Sequence, residues 1–344
     1  MRVLLDTTFA RRGHSGTGVY LAALVPALRA AGVDVVEAAN HARRPPAGGG
    51  IGSVRNALGD RVWTRVELPR RARAAGADVL HHPLPAHSPG VEAGQVITLH
   101  DLAVERLPGA FDPRFGAWAR RAQRAAARAA GAVLCPSETT ARDATARWGV
   151  DPARIVVAPH GPGQAPHGAG ARATGRPGHF LYVGDDEPRK NLALLLGAYA
   201  RYREQSAAPL DLVLAGSAAA RGDGIRAEAA PSSGRLAELY AGAAALVHPS
   251  LHEGFGLTVL EAMAAGVPVL AARAPGLAET AGDAALYFDP RDPAALTAAM
   301  AGVEADPQLR ARLVQAGMDH VRAFSWEASA RAHIDAYTLS LSHR

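Results

Sequence analysis

The sequence predicts an α/β protein made of two doubly wound parallel-sheet units, on three observations. Short apolar runs alternate with long stretches rich in Ala, Leu and Arg. Strands buried on both faces read as continuous apolar runs of this kind, without polar alternation. The strand–helix alternation stops at a Gly/Pro-rich stretch, His160–Gly178, and then starts again. The 344 residues also suit two domains at roughly 150 residues each.

The elements follow in order. Val3–Leu5 reads as the first strand, and Thr17–Ala31 as a helix closed by Gly32. Val33–Val36, Asp78–His81, Val96–Leu99, Val133–Cys135 and Ile155–Ala158 read as further strands, with a long helix over Asp112–Ala130. Arg43–Gly52 is expected to be a loop, and His160–Gly178 a linker. In the second unit His179–Val183, Leu210–Ala215, Ala244–His248 and Val267–Ala271 read as strands. Asn191–Gln205, Ser233–Gly242 and Leu257–Ala265 read as helices, and Ser217–Ser233 as a surface loop. The expected domains are 1–165 and 176–323, facing across a cleft, because open α/β sheets bind ligands at the carboxyl ends of their strands.

Composition excludes several classes. With 48% apolar and 20% charged residues the chain is globular. A single cysteine, Cys135, leaves no internal disulfide and no Cys-rich metal site. No apolar run reaches the 18 or so residues of a membrane span. The start, MRVLLDTTFARRG, lacks a signal peptide's apolar core, so a cytoplasmic chain is expected. Residues 1–160 carry a formal charge of +8 and residues 161–344 a charge of −3. All basic residues but one are arginine, which together with abundant Ala, Gly and Pro reads as coding bias, so the high isoelectric point does not argue for nucleic acid. The single lysine, Lys190, then marks a position that needs an ammonium.

Four segments carry chemistry. Gly13–Tyr20 places Gly16, Thr17 and Gly18 between the first strand and first helix, where the helix start offers N–H groups to an anion. It lacks the third glycine of a dinucleotide fingerprint, and no Walker A pattern occurs. Gly184-Asp185-Asp186-Glu187-Pro188-Arg189-Lys190-Asn191 forms the corresponding turn of the second unit. Two cations at a helix start, where the dipole disfavours them, suit a pyrophosphate. Third, Glu253-Gly254-Phe255-Gly256-Leu257 leads into a helix carrying Glu261. Its N–H groups suit phosphate and its two carboxylates suit sugar hydroxyls. Fourth, His100 and Asp101 follow a buried strand, with His81 and His82 ending the one before, which puts all four on the acceptor side of the expected cleft. A two-histidine metal site finds no acidic partner at ligand spacing.

Together the E-x7-E segment Glu253–Glu261, the turn GDDEPRKN and the strand end ITLHDL resemble retaining nucleotide-sugar glycosyltransferases of the two-Rossmann (GT-B) type, family 4. Gly16–Gly18, Ser137-Glu138, Gly282–Pro290 and Phe324-Ser325-Trp326-Glu327 resemble its mannosyltransferase-like branch. The resemblance covers nearly the whole chain. It implies that Glu253 holds donor-sugar hydroxyls and Glu261 the ribose. Arg189, Lys190 and the amides of Gly254–Leu257 would neutralise the diphosphate. Gly16 and Gly18 would let the first helix approach the phosphates, and His100 would contact the sugar. The final helix, beyond about Phe324, would pack on the first domain. The implied reaction transfers a hexosyl unit, from GDP-mannose by preference, to a glycan, lipid-linked or natural-product hydroxyl without metal or other cofactor.

Other readings are a sugar-nucleotide epimerase or a phosphorylase on the same fold. A metal-dependent single-domain transferase is disfavoured because no D-x-D occurs. A membrane-surface binding protein would use Arg70, Arg71 and Arg73, or the helix with Arg114, Arg120, Arg121, Arg124 and Arg128 beside Phe115 and Trp118. Such contact, at the inner membrane face, is also compatible with catalysis on a lipid-linked acceptor.

Overall fold

A computed structural model describes residues 1–12, 15–43, 51–163, 178–218 and 220–342. The chain divides into two compact units: Met1–Glu105 with Phe111–Gly161 and Trp326–Arg344, and Arg106–Ala110 with Pro162–Ser325.

Unit 1 runs β1 (Arg2–Asp6), α1 (Gly16–Ala30), β2 (Asp34–Ala38), α2 (Ile51–Val62), α3 (Leu68–Ala75), β3 (Val79–His82), β4 (Gly94–Thr98), α4 (Ala103–Arg106), α5 (Pro113–Ala129), β5 (Ala132–Cys135), α6 (Glu138–Trp148) and β6 (Ile155–Val157). Its six strands are all parallel, in the order β2-β1-β3-β4-β5-β6. Caps explain the helix starts: the Ser15 hydroxyl accepts from Gly18 N, and Asp112 from Arg114 N and Phe115 N ahead of Pro113.

Unit 2 runs β7 (His179–Val183), α7 (Leu192–Gln205), β8 (Asp211–Ala215), β9 (Ile225–Glu228), α8 (Ser233–Ala241), β10 (Ala243–His248), α9 (Leu257–Ala264), β11 (Val269–Ala272), α10 (Pro275–Ala281), β12 (Leu286–Phe288), α11 (Pro293–Ala305) and α12 (Pro307–Val321). Its parallel sheet has the order β12-β11-β10-β7-β8-β9. The central strands β7, β8, β10 and β11 are buried almost throughout, which is why they read as apolar runs.

The last helix, α13 (Trp326–Ser342), belongs to unit 1 and packs on α1, β4, β5 and β6. Ser340 sits so close to the strand starts that a Cβ at Gly94 would lie 2.5 Å from its hydroxyl.

Two expectations need correction. Ser217–Ser233 is not wholly a loop, since β9 pairs with β8 there. As an edge strand exposing Arg226 and Ala227 it carries no apolar run to announce it. Helix α7 starts at Leu192 and not at the cations. Pro188–Lys190 form a separate 3-10 turn, and Asn191, with φ of 56°, breaks the helical run. The expected loop Arg43–Gly52 gives way to α2 at Ile51, with 44–50 outside the described residues; most of the expected linker, 164–177, also lies outside them, as do Gly13 and His14.

Candidate functional site

In unit 2 the chain runs outward from β7 to β8 and β9, then returns to the other side of β7 to form β10. The β7/β10 boundary is therefore a topological switch point. In open α/β sheets such a point, outside the carboxyl ends of the strands, is where ligands bind. Of the loops leaving these two strands, the first carries Gly184 to Asn191, the second Pro249 to Gly256.

These loops are tied together. Leu251 N donates to the Arg189 carbonyl at 2.8 Å. The Asn191 side chain donates to the Pro249 and Pro290 carbonyls at 3.2 and 2.9 Å. Asn191 holds the left-handed conformation that non-glycine residues rarely take, and these bonds stabilise it. Gly184 N donates to Ala215 O at 2.9 Å, and a Cβ on Gly216 would lie 2.2 Å from the Gly184 carbonyl oxygen.

The structure brings Arg189, Lys190 and Glu253 into one cluster. Lys190 Nζ lies 2.7 Å and Arg189 Nη1 3.1 Å from Glu253 Oε1. The Ser250 hydroxyl donates to the same oxygen at 2.9 Å, and His248 Nε2 stands 3.3 Å from it. All four address Oε1, and Oε2 receives none of them. Burial pushes the Glu253 carboxyl up, but Lys190 and then Arg189 more than reverse it, so the group sits well below the usual carboxylate range. Burial also lowers His248, against the pull of Glu253. Arg189 turns its Nε to Glu187 at 2.7 Å, a half-exposed partner that holds it weakly.

Helix α9 begins at the second loop. Gly256, with φ of 97°, precedes it, and a Cβ there would meet Leu277 at 2.7 Å. Phe255 turns into the core, its ring edge-on to Phe324 with centroids 6.0 Å apart. Glu261 is buried and accepts from the Tyr240 hydroxyl at 2.9 Å. Sequence reasoning missed Ser250, His248, Asn191 and Gly276. At Gly276 a Cβ would stand 1.9 Å from the Glu253 carbonyl oxygen, so the start of α10 fixes the Glu253 loop from behind.

Unit 1 has its own switch point, between β1 and β3. Gly16, Thr17 and Gly18 open α1 as expected, with open space around Gly16. His81 and His82 are placed inside the unit and not on its surface, with exposures of 0% and 1%. Both nitrogens of His81 are taken, by the hydroxyls of Tyr337 (2.9 Å) and Thr98 (2.8 Å). His82 Nε2 stands 3.4 Å from the Ser88 hydroxyl. Asp101 caps α4 by accepting from Ala103 N at 2.8 Å.

The donors around His81 fix a direction. His333 Nδ1 faces the Ser329 carbonyl at 2.7 Å and must donate. Its neutral Nε2 then accepts from the Tyr20 hydroxyl (2.7 Å), which accepts from Thr98 (2.9 Å). Thr98 accepts from His81 Nε2, leaving Nδ1 to accept from Tyr337. One chain of neutral groups therefore ties α13 to β3, β4 and α1. Burial lowers His333 to about 4, holds His81 well below the usual imidazole range, and raises both tyrosines, which agrees with that neutrality. His100 lies beside this chain, edge-on to Tyr20 at 5.0 Å. Burial lowers it to about 4, and its Nε2 is buried without a partner among the described residues. Among the described residues no cluster of three or more His, Cys, Asp or Glu could hold a metal ion.

Residues 171–320 match the family described as glycosyl transferases group 1, and residues 14–162 match glycosyltransferase family 4. An O-antigen chain mannosyltransferase B of Escherichia coli is 35% identical over 47% of this chain and 46% of its own length. A D-inositol 3-phosphate glycosyltransferase of Acidothermus cellulolyticus is 31% identical over 63% of this chain and 55% of its own. The matched stretches thus span about half the length of these relatives. Among solved structures, a sucrose-phosphate synthase from Thermosynechococcus elongatus superposes over 100% of both chains with a TM-score of 0.78 at 22% identity. An Anabaena protein solved with UDP and glucose covers 98% of this chain and 99% of its own, with a TM-score of 0.70 at 16% identity. These likenesses establish the GT-B fold, two Rossmann-like α/β units.

Proposed function

The chain belongs to the family 4, group 1 glycosyltransferases, and from that premise we propose that it moves a hexosyl unit from a nucleotide-diphosphate sugar to an acceptor hydroxyl with retention of configuration. The observation that carries the reading is the Glu253 cluster. A carboxylate gathered through one oxygen keeps the other for a sugar hydroxyl, beside two cations suited to a diphosphate. Glu261 would hold the ribose, and Gly184 with the amides of Gly254–Leu257 would line the phosphates. GDP-mannose is the favoured donor, in keeping with the mannosyltransferase relative. Gly16 and Gly18 would let α1 approach the phosphates, and the acceptor would meet unit 1 beside His100 and Asp101.

The chemistry follows the charge. The bond from the anomeric carbon to the leaving oxygen breaks, its electron pair goes to the diphosphate, and positive charge develops on the sugar. Arg189 and Lys190 stabilise the leaving anion, so the step needs no metal. The acceptor oxygen bonds the anomeric carbon from the same face, and its proton passes to the departing phosphate oxygen. Thermal shifts with GDP, UDP, dTDP, ADP and their sugars, in a chelator, test this. One nucleotide at about a hundred times its dissociation constant should stabilise by about 2.7 kcal/mol, and Lys190→Ala at the same concentration should cut this to about 0.4–1.4 kcal/mol. Product NMR then reads the anomer. No shift with any nucleotide, or an inverted product, would overturn the reading.

The acceptor is proposed to be lipid-linked, approached at an anionic membrane surface. On α5 the rings of Phe115 and Trp118 are 51% and 52% exposed with centroids 5.9 Å apart, next to exposed Arg114, Arg121 and Arg124. Arg128 does not share that role, since its Nε donates to the Trp148 carbonyl. Vesicles with anionic lipid should bind the protein at low salt, and Phe115→Ala with Trp118→Ala should release it. Equal binding to neutral vesicles would count against the surface.

A further inference from the structure

We propose that Thr258 and His248 form a positioning relay for Glu253, in which the imidazole pins one carboxylate oxygen through Nε2–H and Thr258 holds the ring in place through Nδ1, leaving Oε2 for the donor sugar. The inference rests on the reading of Glu253 as the sugar-binding carboxylate.

The argument is proton bookkeeping around a buried ring. The Ser250 hydroxyl spends its single proton on Glu253 Oε1, at 2.9 Å. His248 Nε2 therefore faces two acceptors, the Ser250 and Glu253 oxygens, each at 3.3 Å. Such a nitrogen must carry a hydrogen. His248 is 1% exposed, and burial keeps it neutral. Its Nδ1 is then a bare lone pair, and the Thr258 hydroxyl, 3.0 Å away, must donate to it. The sequence Thr258 O–H to Nδ1, then Nε2–H to Oε1, has one direction only.

The relay also joins two elements of the site. His248 ends β10, and Thr258 lies in the first turn of α9, the helix whose start is assigned to the phosphates. Without the Thr258 hydroxyl, Nδ1 is left as a buried lone pair with no donor, and the ring loses the bond that holds it against the carboxylate. Once the ring turns away, the carboxyl loses a contact that confines its donors to Oε1. Neither residue touches the sugar in this scheme, so both are positioning residues.

The experiment uses the full chain labelled with 15N-histidine, with His248→Gln assigning the resonance. The wild type should show His248 as the Nε2–H tautomer with Nδ1 accepting a hydrogen bond, and Thr258→Val should move the Nδ1 resonance to that of a lone pair without a donor. With GDP-mannose and GDP as binding probes, Thr258→Val should weaken GDP-mannose about tenfold, the scale of one hydrogen bond to a charged group, and leave GDP within about twofold. Thr258→Ser keeps the hydroxyl and should restore the wild-type ratio. His248→Gln supplies an amide donor that needs no tautomer, so adding Thr258→Val to it should change the ratio little. A wild-type Nδ1–H tautomer would overturn the relay. So would an equal loss of GDP and GDP-mannose in Thr258→Val, which would mark plain structural damage. If the wild type binds neither probe, the donor reading falls, and the relay is decided by the imidazole spectrum alone.

Discussion

Glu253→Gln and Lys190→Ala perturb one cluster in opposite senses. In the ligand-free protein Glu253 neutralises one of two cations, Lys190 at 2.7 Å and Arg189 at 3.1 Å. Their side chains are only 13% and 20% exposed. Removing one partner of a buried pair costs about 3–5 kcal/mol, because the other charge stays buried. Residual water access and the amide oxygen of glutamine reduce this to about 2–3 kcal/mol for Glu253→Gln. A bound diphosphate supplies the missing negative charge. Glu253→Gln should therefore bind GDP as well as the wild type, or up to about tenfold better, while losing sugar transfer. Lys190→Ala leaves Glu253 with Arg189, Ser250 and His248, so its folding cost is smaller, about 1–2 kcal/mol. It deletes a charge-assisted bond to the diphosphate worth about 1.5–3 kcal/mol, so GDP should bind roughly tenfold to a hundredfold more weakly. Titration calorimetry with GDP, or with whichever nucleotide gives the largest thermal shift, reads both affinities, and urea unfolding reads both stabilities. Equal weakening in the two variants would refute the idea that Glu253 competes with the diphosphate for these cations.

Gly276→Ala places a Cβ 1.9 Å from the Glu253 carbonyl oxygen, so the loop must move. It should cost about 1–3 kcal/mol in urea unfolding and weaken GDP-mannose more than GDP; an unchanged midpoint would show that α10 does not brace the site. Tyr20→Phe deprives Thr98 of its acceptor and His333 of its donor, which should destabilise unit 1 by about 2–4 kcal/mol. All four tryptophans, Trp63, Trp118, Trp148 and Trp326, lie in unit 1, so their fluorescence reads this unfolding directly. The buried histidines make unit 1 sensitive to acid. Their folded pKa values lie below 6.5, at about 4 for His82, His100 and His333, so the unfolded chain binds more protons and stability falls as pH drops from about 6.5 towards 4. Glu253 loses its contribution only as pH falls through its depressed pKa, so tryptophan fluorescence should change at higher pH than GDP-protected unit 2; fluorescence steady down to pH 4 would sink this.

The fold was legible because its strands are buried on both faces and its helices long. Val3–Leu5 and His179–Val183 announce themselves by apolar side chains that only a covered parallel sheet can take. The edge strand β9 did not, since Arg226 and Ala227 are exposed. In the site, Arg189, Lys190 and Glu253 were legible as residue types, because a lone lysine and a carboxylate running into a glycine-rich turn have few structural uses. Gly276 was not. Its role is a clash with a backbone atom 23 residues earlier, which no local pattern encodes. His248 ends a strand as expected, but no local pattern gives away its partner Thr258, and His81, expected on the acceptor side of the cleft, is held inside unit 1 by Tyr337 and Thr98.

Net charge misleads about where the anion goes. Residues 1–160 carry +8 and residues 161–344 carry −3, yet it is the second stretch that holds two cations together at a switch point. In unit 1 the arginines of α5 are mostly on the surface, while the interior histidines are kept neutral by burial. A charge on the surface is screened within about 10 Å at ordinary ionic strength, whereas one in the interior is not. His100 shows the consequence: with a pKa of about 4 it stays uncharged at neutral pH and adds no positive charge to attract an anion. On the proposed reading the diphosphate is therefore left to Arg189 and Lys190, the cations gathered at the unit 2 switch point.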